Sequence, residues 1–524
     1  MRSSPTGPRN SLPAWLRTLL TATAAGMLSA CATIGPEFVT PEAPVNADWR
    51  PLDASDDSIR FEERTDDFRA WWQSFEDPVL DALILRARRQ NLTLQRAGLR
   101  ILEARARLGI ATGNRFPQFQ TADGTLTQVR GSENAPNYTP MLDNTFREAT
   151  IGFDAGWELD VWGRFRRGIE AADAGLQADV AGYDDALVSV TAEVASIYTL
   201  MRTFHERLAL ARANVAIQTR SRDIASIRFR NGLTSELDLQ QARALLANTQ
   251  ALIPQLETGL RQTQNGLSIL LGTPTADFAD LVGVGEEEGA IPSVPDRIAI
   301  GMPADLLRRR PDIRRAEQVA AAQSARIGLA RADLYPSFSL SGSVGLRAAN
   351  TGFSELGDLF DGRSFEAGAG PGFSWKILNY GRLTNAVRVE DARFQQAAVA
   401  YQNTVLQATR EVEDALVAFV RGRQRIEFLR DGVAAAERSV ELALVQYRDG
   451  AADYTRVLNT QQALVAQQDE LTVARGEVVR SLIAAYKALG GGWQLRAEEG
   501  FVDAAVQRQM SERTDWGPLL DADP

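Results

Sequence analysis

Two helical runs of equal length, Arg164 to Arg230 and Arg382 to Arg448, constrain this chain more than any other feature. In the first, Tyr183, Leu187, Val190, Val194, Ile197, Met201, Phe204, Leu208, Ala211 and Val215 recur at alternating spacings of four and three, the heptad seam of a coiled coil. No proline interrupts it. About 67 residues at 1.5 Å each make a rod of roughly 100 Å, far beyond the three or four turns of an ordinary globular helix. A rod of that length has to span something.

The second run belongs to a second copy of a longer unit. Phe116-Pro117-Gln118-Phe119 recurs as Tyr335-Pro336-Ser337-Phe338, and Trp157 with Gly163-Arg164 recurs as Trp375 with Gly381-Arg382. Asn231-Gly232 recurs as Asp449-Gly450, and Leu271-Gly272 as Leu489-Gly490, always within one residue of an offset of 218. A period this long is a duplication, because solenoid repeats run to about 20–50 residues. Each copy reads as helix, two strands, very long helix, turn and returning helix. The expected organisation is a signal segment at 1–30, a tether at 31–70, a first repeat at 71–272, a connector at 273–302, a second repeat at 303–490 and a tail at 491–524.

The first thirty residues have the pattern of a secretory signal. Arg2, Arg9 and Arg17 form a basic start, Leu19 to Met27 an apolar core, and Leu28-Ser29-Ala30-Cys31 a small-residue cleavage site. Cys31 is the one cysteine, so no internal disulfide can form, and the spacing matches a lipobox whose cysteine is acylated after cleavage. Ala32 follows where an Asp would suggest retention in the inner membrane, so the outer membrane is the expected address. Removing the three arginines leaves 54 basic against 67 acidic side chains, a balance of −13. That argues against nucleic acid as a partner, which needs a basic face. After the signal no run of about 18 apolar residues remains for a membrane helix. A membrane crossing has to be made by strands.

The strand signal is clear. Ile151, Phe153, Ala155, Trp157 and Leu159 alternate with Thr150, Gly152, Asp154, Gly156 and Glu158, and Gln118 to Val129 alternates less cleanly before a Gly/Asn/Pro-rich loop at 130–144. In the second copy Phe338, Leu340, Val344 and Leu346 alternate with Ser337, Ser339, Ser341 and Ser343. Phe365, Ala367, Ala369, Phe373, Trp375 and Ile377 alternate with Glu366, Gly368, Gly370, Ser374 and Lys376. One apolar face and one Gly/Ser/acidic face suit a barrel wall between lipid and water. An open sheet edge in hydrocarbon leaves backbone groups unpaired at several kcal/mol each, so the sheet must close. Four strands cannot close a barrel, and an open lumen therefore requires several chains. Elsewhere, Asp77 and Pro78 are set to open a helix that continues through Leu80, Leu94 and Ile110, Ser235 to cap the returning helix, and Pro254 to kink it.

The opening Trp71-Trp72-Gln73-Ser74-Phe75-Glu76-Asp77-Pro78, the paired Phe/Tyr-Pro-x-Phe and Gly-Arg junctions, the paired glycine turns and the lipobox together resemble the outer-membrane factor family, the TolC-like exit ducts, in its lipidated OprM/NodT-type branch. The resemblance covers roughly residues 31 to 495. It implies an α+β membrane protein: a homotrimer whose twelve antiparallel strands form one outer-membrane β-barrel, continuous with a long α-helical periplasmic barrel. It also implies a periplasmic adaptor and an inner-membrane transporter of the RND type as partners, outer-membrane lipid around the barrel, and small toxic molecules as cargo. Cys31 matches the lipidated cysteine, and no cofactor is expected beyond that lipid.

Two tips match the family's adaptor-docking ends: Arg230, Asn231, Gly232, Leu233, Thr234 and Ser235 in the first, and Arg448, Asp449, Gly450 and Ala451 in the second. A tight helix reversal by itself also needs the Gly and Asn there. The resemblance places an aperture just past the second tip, at Tyr447, Arg448, Asp453, Arg456 and Asn459. Here the chain departs from the family pattern, with Leu458-Asn459-Thr460-Gln461 where Leu-Asp-Ala-Gln is usual and Ala452 where Asp is frequent. Asp453 is the nearest remaining carboxylate. It is expected to line the aperture with Arg448 or Arg456 as its pairing candidate, or else to serve as an exposed helix N-cap at the position equivalent to Ser235.

An enzyme is hard to build from this chain. Its one histidine, His205, sits beside a heptad position, and there is no P-loop, dinucleotide fingerprint or metal-ligand cluster. Two other readings stay open: a duct for type I polypeptide secretion, and a non-conducting coiled-coil lipoprotein that spaces the envelope. The patterned strands speak against the spacer.

Overall fold

The computed structural model describes residues 33–45, 59–60, 68–276, 290–295, 298–299 and 309–520, apart from 137, 142, 353 and 499. The signal segment, Cys31 and much of the tether and connector lie outside the described residues. In chain order the elements are β1 (Ile59–Arg60), α1 (Pro78–Gln90), α2 (Leu92–Gly113), β2 (Phe119–Arg130), β3 (Thr145–Leu159), α3 (Arg164–Arg230), α4 (Glu236–Leu270), β4 (Ile298–Ala299), α5 (Pro311–Ala332), β5 (Ser337–Ala349), β6 (Phe365–Ser374), α6 (Arg382–Arg448), α7 (Tyr454–Ala488) and α8 (Ala504–Arg513). They form two compact units, one drawn from 1–40, 103–177 and 317–399, the other from 41–102, 178–316 and 400–524.

The first unit is built on a four-stranded antiparallel sheet in the order β2-β3-β5-β6. Its register puts Phe153 opposite Val344, Trp157 opposite Leu340 and Phe338 opposite Phe373, so the apolar side chains of three strands share one face. That face is exposed, to 72 % at Leu126 and 74 % at Phe373. The other face carries Thr125 opposite Thr150, Asp154 opposite Ser343 and Ser341 opposite Gly370, with the Thr125 and Thr150 hydroxyls 2.6 Å apart. β6 ends at Ser374, earlier than the alternation through Ile377 predicts. The Trp375 indole instead donates to the Leu334 carbonyl (3.0 Å) as the chain turns towards α6.

That indole bond exposes the duplication in three dimensions. In the first copy Trp157 Nε1 donates to the Arg115 carbonyl at 3.1 Å, the same contact one repeat earlier. The paired helices agree in length as well: 67 residues in α3 and α6, and 35 in α4 and α7. The last turns of the returning helices are held alike. Asn91 Nδ2 donates to the Leu270 carbonyl (2.8 Å), and Arg310 Nη1 donates to the Ala488 carbonyl (2.7 Å). Each occupies a carbonyl that a helix end leaves without an intrahelical partner.

Asn91 also corrects the single helix expected from Pro78 to Ile110. Its backbone is extended (φ −65°, ψ 123°), which ends α1, and its Oδ1 accepts from the amides of Thr93 and Leu94 and so caps α2. Asp77 caps α1 as predicted, accepting from Val79 and Leu80. Ser235 stands at the N-cap position of α4 without making a capping bond. α4 runs on as a helix across Pro254.

α3 buries more than one heptad seam. Leu187, Val194, Met201 and Leu208 are buried as predicted, but so is a second stripe of Asp184, Val188, Thr191, Ala195, Tyr198 and Arg202. Spacings of four and three recur in both stripes, so this helix packs on two sides. Glycines set how closely its neighbours approach. A Cβ on Gly476 of α7 would lie 2.2 Å from Thr203 Oγ1, and one on Gly259 of α4 would lie 2.5 Å from the Phe204 ring.

Periodicity does not decide the path of the tail, and the structure does. Arg496 Nη1 bonds to Asp184 Oδ1 (2.8 Å), Phe501 meets Tyr183 edge to face at 5.2 Å, and Arg314 lies 5.1 Å over the Trp493 ring. Phe501, Val502 and Met510 are buried. Asp184 itself is fully buried, with Arg314 as a second cation at 3.7 Å.

Two outcomes follow. Gly476→Ala should lower the thermal midpoint of the detergent-solubilised protein, because an overpacking cost of about 1–3 kcal/mol exceeds the roughly 1 kcal/mol gain in helix propensity. An unchanged or raised midpoint would contradict the close approach at Thr203. Burial raises the Asp184 carboxyl from 3.8 to about 6 against the opposing pull of Arg496 and Arg314. The folded chain therefore binds a proton in this window that the unfolded chain does not, and the group adds stability as pH falls from 7 towards 4. Asp184→Asn should remove that dependence, so thermal scans at pH 7 and pH 4.5 should show the wild type gaining on the variant as the medium is acidified.

Candidate functional site

The α3–α4 and α6–α7 reversals lie side by side within the second unit. In the first, Asn231 N bonds to Ile227 O (3.1 Å), Gly232 N to Phe229 O (2.9 Å) and Leu233 N to Arg228 O (2.9 Å). The second repeats this pattern, with Asp449 N to Val445 O, Gly450 N to Tyr447 O and Ala451 N to Gln446 O. Gly232 and Gly450 have φ of 70° and 79°, the left-handed conformation that a closure of this type requires and that side chains resist.

Below the turns the packing is small against large. Ala225 of α3, Ala242 of α4 and Ala443 of α6 leave room for Tyr447, Tyr454 and Val457, all six buried in one cluster. The two tyrosine rings meet edge to face at 5.3 Å. Arg228 lies 5.0 Å over the Tyr447 ring and donates through Nη1 to the Arg448 carbonyl at 2.9 Å. From the other side the Tyr447 hydroxyl makes a long bond of 3.4 Å to Asp238 Oδ2, which Thr234 Oγ1 also approaches, while Ser235 Oγ donates to Asp238 Oδ1 at 3.4 Å. Asp238 of the first hairpin thus gathers hydroxyls from both.

Burial pushes the Tyr447 phenol above its ordinary value; the Thr234 bond opposes this, Asp238 adds to it and Arg228 opposes it. Burial likewise pushes up Tyr454, helped by Tyr447 and Asp238. Both phenols keep their protons at neutral pH; Tyr447 donates to Asp238, and the buried Tyr454 hydroxyl has no hydrogen-bond partner among the described residues. Among the described residues no helix is long and apolar enough to cross a membrane, and no group of three or more His, Cys, Asp or Glu stands ready for a metal ion.

The structure brings some expected residues together and separates others. Arg230, Asn231, Gly232, Leu233, Ser235, Arg448, Asp449, Gly450 and Ala451 are exposed at the tips, and Thr234 is half-buried. Asp453 is exposed and caps α7, accepting from the Arg456 amide at 3.3 Å. Within the chain its two pairing candidates are engaged elsewhere: Arg448 Nε with Asp449 Oδ1 (3.3 Å), and Arg456 Nη1 with Gln446 Oε1 (2.9 Å). Tyr447 is buried, and Asn459 is exposed on α7. The sequence gives Asp238 a place only as the end of the first turn motif, and none to Arg228 or Tyr454. A comparison across the offset of 218 singles out two of them, because Asp238 falls opposite Arg456 and Arg228 opposite Gln446.

Residues 83–273 and 302–491 match the family described as outer membrane efflux protein, one match for each copy. The chain is 30% identical over 474 residues to nodulation protein T of Rhizobium leguminosarum bv. trifolii, covering 90% of this chain and 97% of that one. It is 31% identical over 476 residues to the pyoverdine export outer membrane protein OpmQ of Pseudomonas putida, covering 89% and 96%. Among solved structures it superposes on the outer-membrane channel OprN with a TM-score of 0.80 at 31% identity, over 88% of this chain and all of the other. The chain belongs to the outer membrane efflux protein family. Its fold class is that of the family's trimeric channels, with a helical barrel and a β-barrel to which each chain gives four antiparallel strands, and its place is the outer membrane.

Asp238→Ala should leave the buried Tyr447 hydroxyl without its acceptor, at a cost of about 1–3 kcal/mol. Hydrogen exchange of the amides at 447–451 should then quicken by roughly tenfold or more, since 1.4 kcal/mol is a factor of ten. Exchange unchanged from wild type would remove Asp238 from the network that joins the hairpins.

Proposed function

We propose that this protein, as a homotrimer, is the exit duct of a tripartite efflux pump, passing small molecules without chemical change from a periplasmic adaptor and an RND-type inner-membrane transporter to the outside. The observation that carries this reading is the sheet: an exposed apolar face, a Gly/Ser/Thr-rich polar face, and two edges, β2 and β6, with no strand beyond them among the described residues. In lipid those edges have to be paired, and in a ring of three copies β2 of one chain meets β6 of the next. The polar faces then line water and the apolar faces meet hydrocarbon.

The remaining assignments rest on the same reading. The tips at Arg230 to Ser235 and Arg448 to Ala451 receive the adaptor. Asp453, Arg456 and Asn459, exposed on the first turns of α7, line the aperture beside Tyr447 and Arg448. Acylation at Cys31 anchors the chain to the outer membrane, and a passive conduit needs no cofactor and no catalytic group. Small molecules are favoured as cargo by the likeness to OpmQ, a pyoverdine export outer membrane protein.

Single-particle electron microscopy of the detergent-extracted mature protein tests the assembly: a threefold tube with an axial lumen is expected. A monomer, or a rod without a lumen, would overturn the duct.

A further inference from the structure

The charged side chains of the four-stranded sheet are sorted by face. Asp123, Glu148, Asp154, Glu158, Arg347 and Glu366 fall in register with Thr125, Thr150 and Ser343 on the polar face. There Arg347 lies between Glu148 (3.8 Å) and Glu366 (3.6 Å). The apolar face carries Arg130, at the end of β2, and Arg147, near the start of β3, and no carboxylate. Both arginines are exposed, and neither guanidinium makes a hydrogen bond or ion pair with another described residue. That includes Glu133 and Asp143, the carboxylates of the adjoining loop.

The register fixes their spacing. Gln128 stands opposite Arg147 and Thr145 opposite Arg130, so the two arginines are diagonal neighbours on one face, about 7–8 Å apart at the backbone. The backbone beneath them is tied down. The Asn350 side chain accepts from the Arg147 amide, the Asn350 amide bonds to the Arg147 carbonyl (2.9 Å), and the Gly131 amide bonds to the Asn144 carbonyl (2.8 Å). Two cations at that spacing repel, and an anion seated between them relieves the repulsion.

Depth picks out the anion. All four strands join helices at one end and loops at the other. At the helix end the apolar face is aromatic, with Trp157, Phe338 and Phe373 exposed, as in the girdle of a membrane interface. Arg147 lies ten residues before Trp157. At about 3.4 Å per residue and a tilt of about 40°, that is about 25 Å along the membrane normal, the height of the apolar band. The arginines therefore stand at the opposite boundary, on the loop side, among the headgroups of the outer leaflet. A guanidinium takes phosphate there through paired N–H donors.

We propose that Arg130 and Arg147 form a phosphate-binding site on the lipid-facing wall, which takes the phosphorylated headgroup of an outer-leaflet lipid. This rests on the duct reading above, which puts that face in the membrane.

Native mass spectrometry of the full-length lipidated protein in detergent tests it, because one spectrum reads copy number and bound lipid together. The probes are diphosphoryl lipid A, the same lipid stripped of its phosphates, and inorganic phosphate as competitor. Wild type should bind diphosphoryl lipid A about tenfold more tightly than the stripped lipid, and Arg130→Gln with Arg147→Gln should lose that preference, since charge-assisted hydrogen bonds are worth a factor of about ten or more. Arg130→Lys with Arg147→Lys should fall between, having the charges without the paired donors. Arg363→Gln, in the exposed loop beside Asp361, should bind as wild type does. Equal affinity of wild type for both lipids would mean arginines that only reach for water, and would overturn the site. An unchanged preference in the double glutamine variant would overturn it too. Inorganic phosphate that displaces the lipid at equal concentration would make this a free-ion site and overturn the lipid assignment. If the double variant fails to assemble, Arg147→Gln decides, and a wild-type preference there sinks the inference. A trimer without the preference leaves the duct reading standing; a monomer removes the duct reading, and the phosphate preference still decides the site.

Discussion

The hydrogen-bonding needs of a short sheet in lipid set the terms for this protein. Four antiparallel strands with one greasy face can bury that face in a bilayer, but β2 and β6 each present a row of backbone donors and acceptors to whatever lies beside them. Closing the row on itself would take more strands than one chain has. The chain's stability in the membrane is therefore inseparable from its copies. The plain alternation of Ser and Gly with Phe, Leu and Val follows from a wall that is wet on one side and oily on the other.

The long helices pose a different problem, that of staying in register. Repeated end contacts solve it. Asn91 and Arg310 hold the returning helices at Leu270 and Ala488, and Gly232 and Gly450 allow the same reversal at both tips. Glycines opposite Thr203 and Phe204 let α4 and α7 approach α3 on two sides. Near the tips the copies diverge at charged and hydroxylated positions. Asp238 stands against Arg456, Arg228 against Gln446 and Tyr447 against Phe229. Duplication supplied a symmetric frame, and the asymmetry makes a contact that only one direction can form.

Much of the fold was legible because periodicity is a local property. The runs at 164–230 and 382–448, the strand alternation and the cap at Asp77 all follow from neighbours in sequence, and the observed elements agree with them closely. The break at Asn91 was not legible, since nothing in the helical spacing weakens there. It exists because the Asn91 amide serves a carbonyl at Leu270, far along the chain. Ser235 failed as a cap for a related reason: its hydroxyl turns to Asp238, an acceptor that the capping pattern does not consider. Within the chain Asp453 takes the other role left open for it and caps α7, while Arg448 and Arg456 meet Asp449 and Gln446.

The sequence alone determined the duplication, the length of the helices, the two faces of the strands and the places where the chain must reverse, because each is fixed by the order of apolar, polar and glycine residues over a few turns. Tertiary structure alone decided which buried stripes of α3 are used, where the tail lies, and that Arg228, Tyr447 and Asp238 form one crossing network. Those contacts join residues 209 to 312 positions apart. Only the packed helices bring such groups within reach.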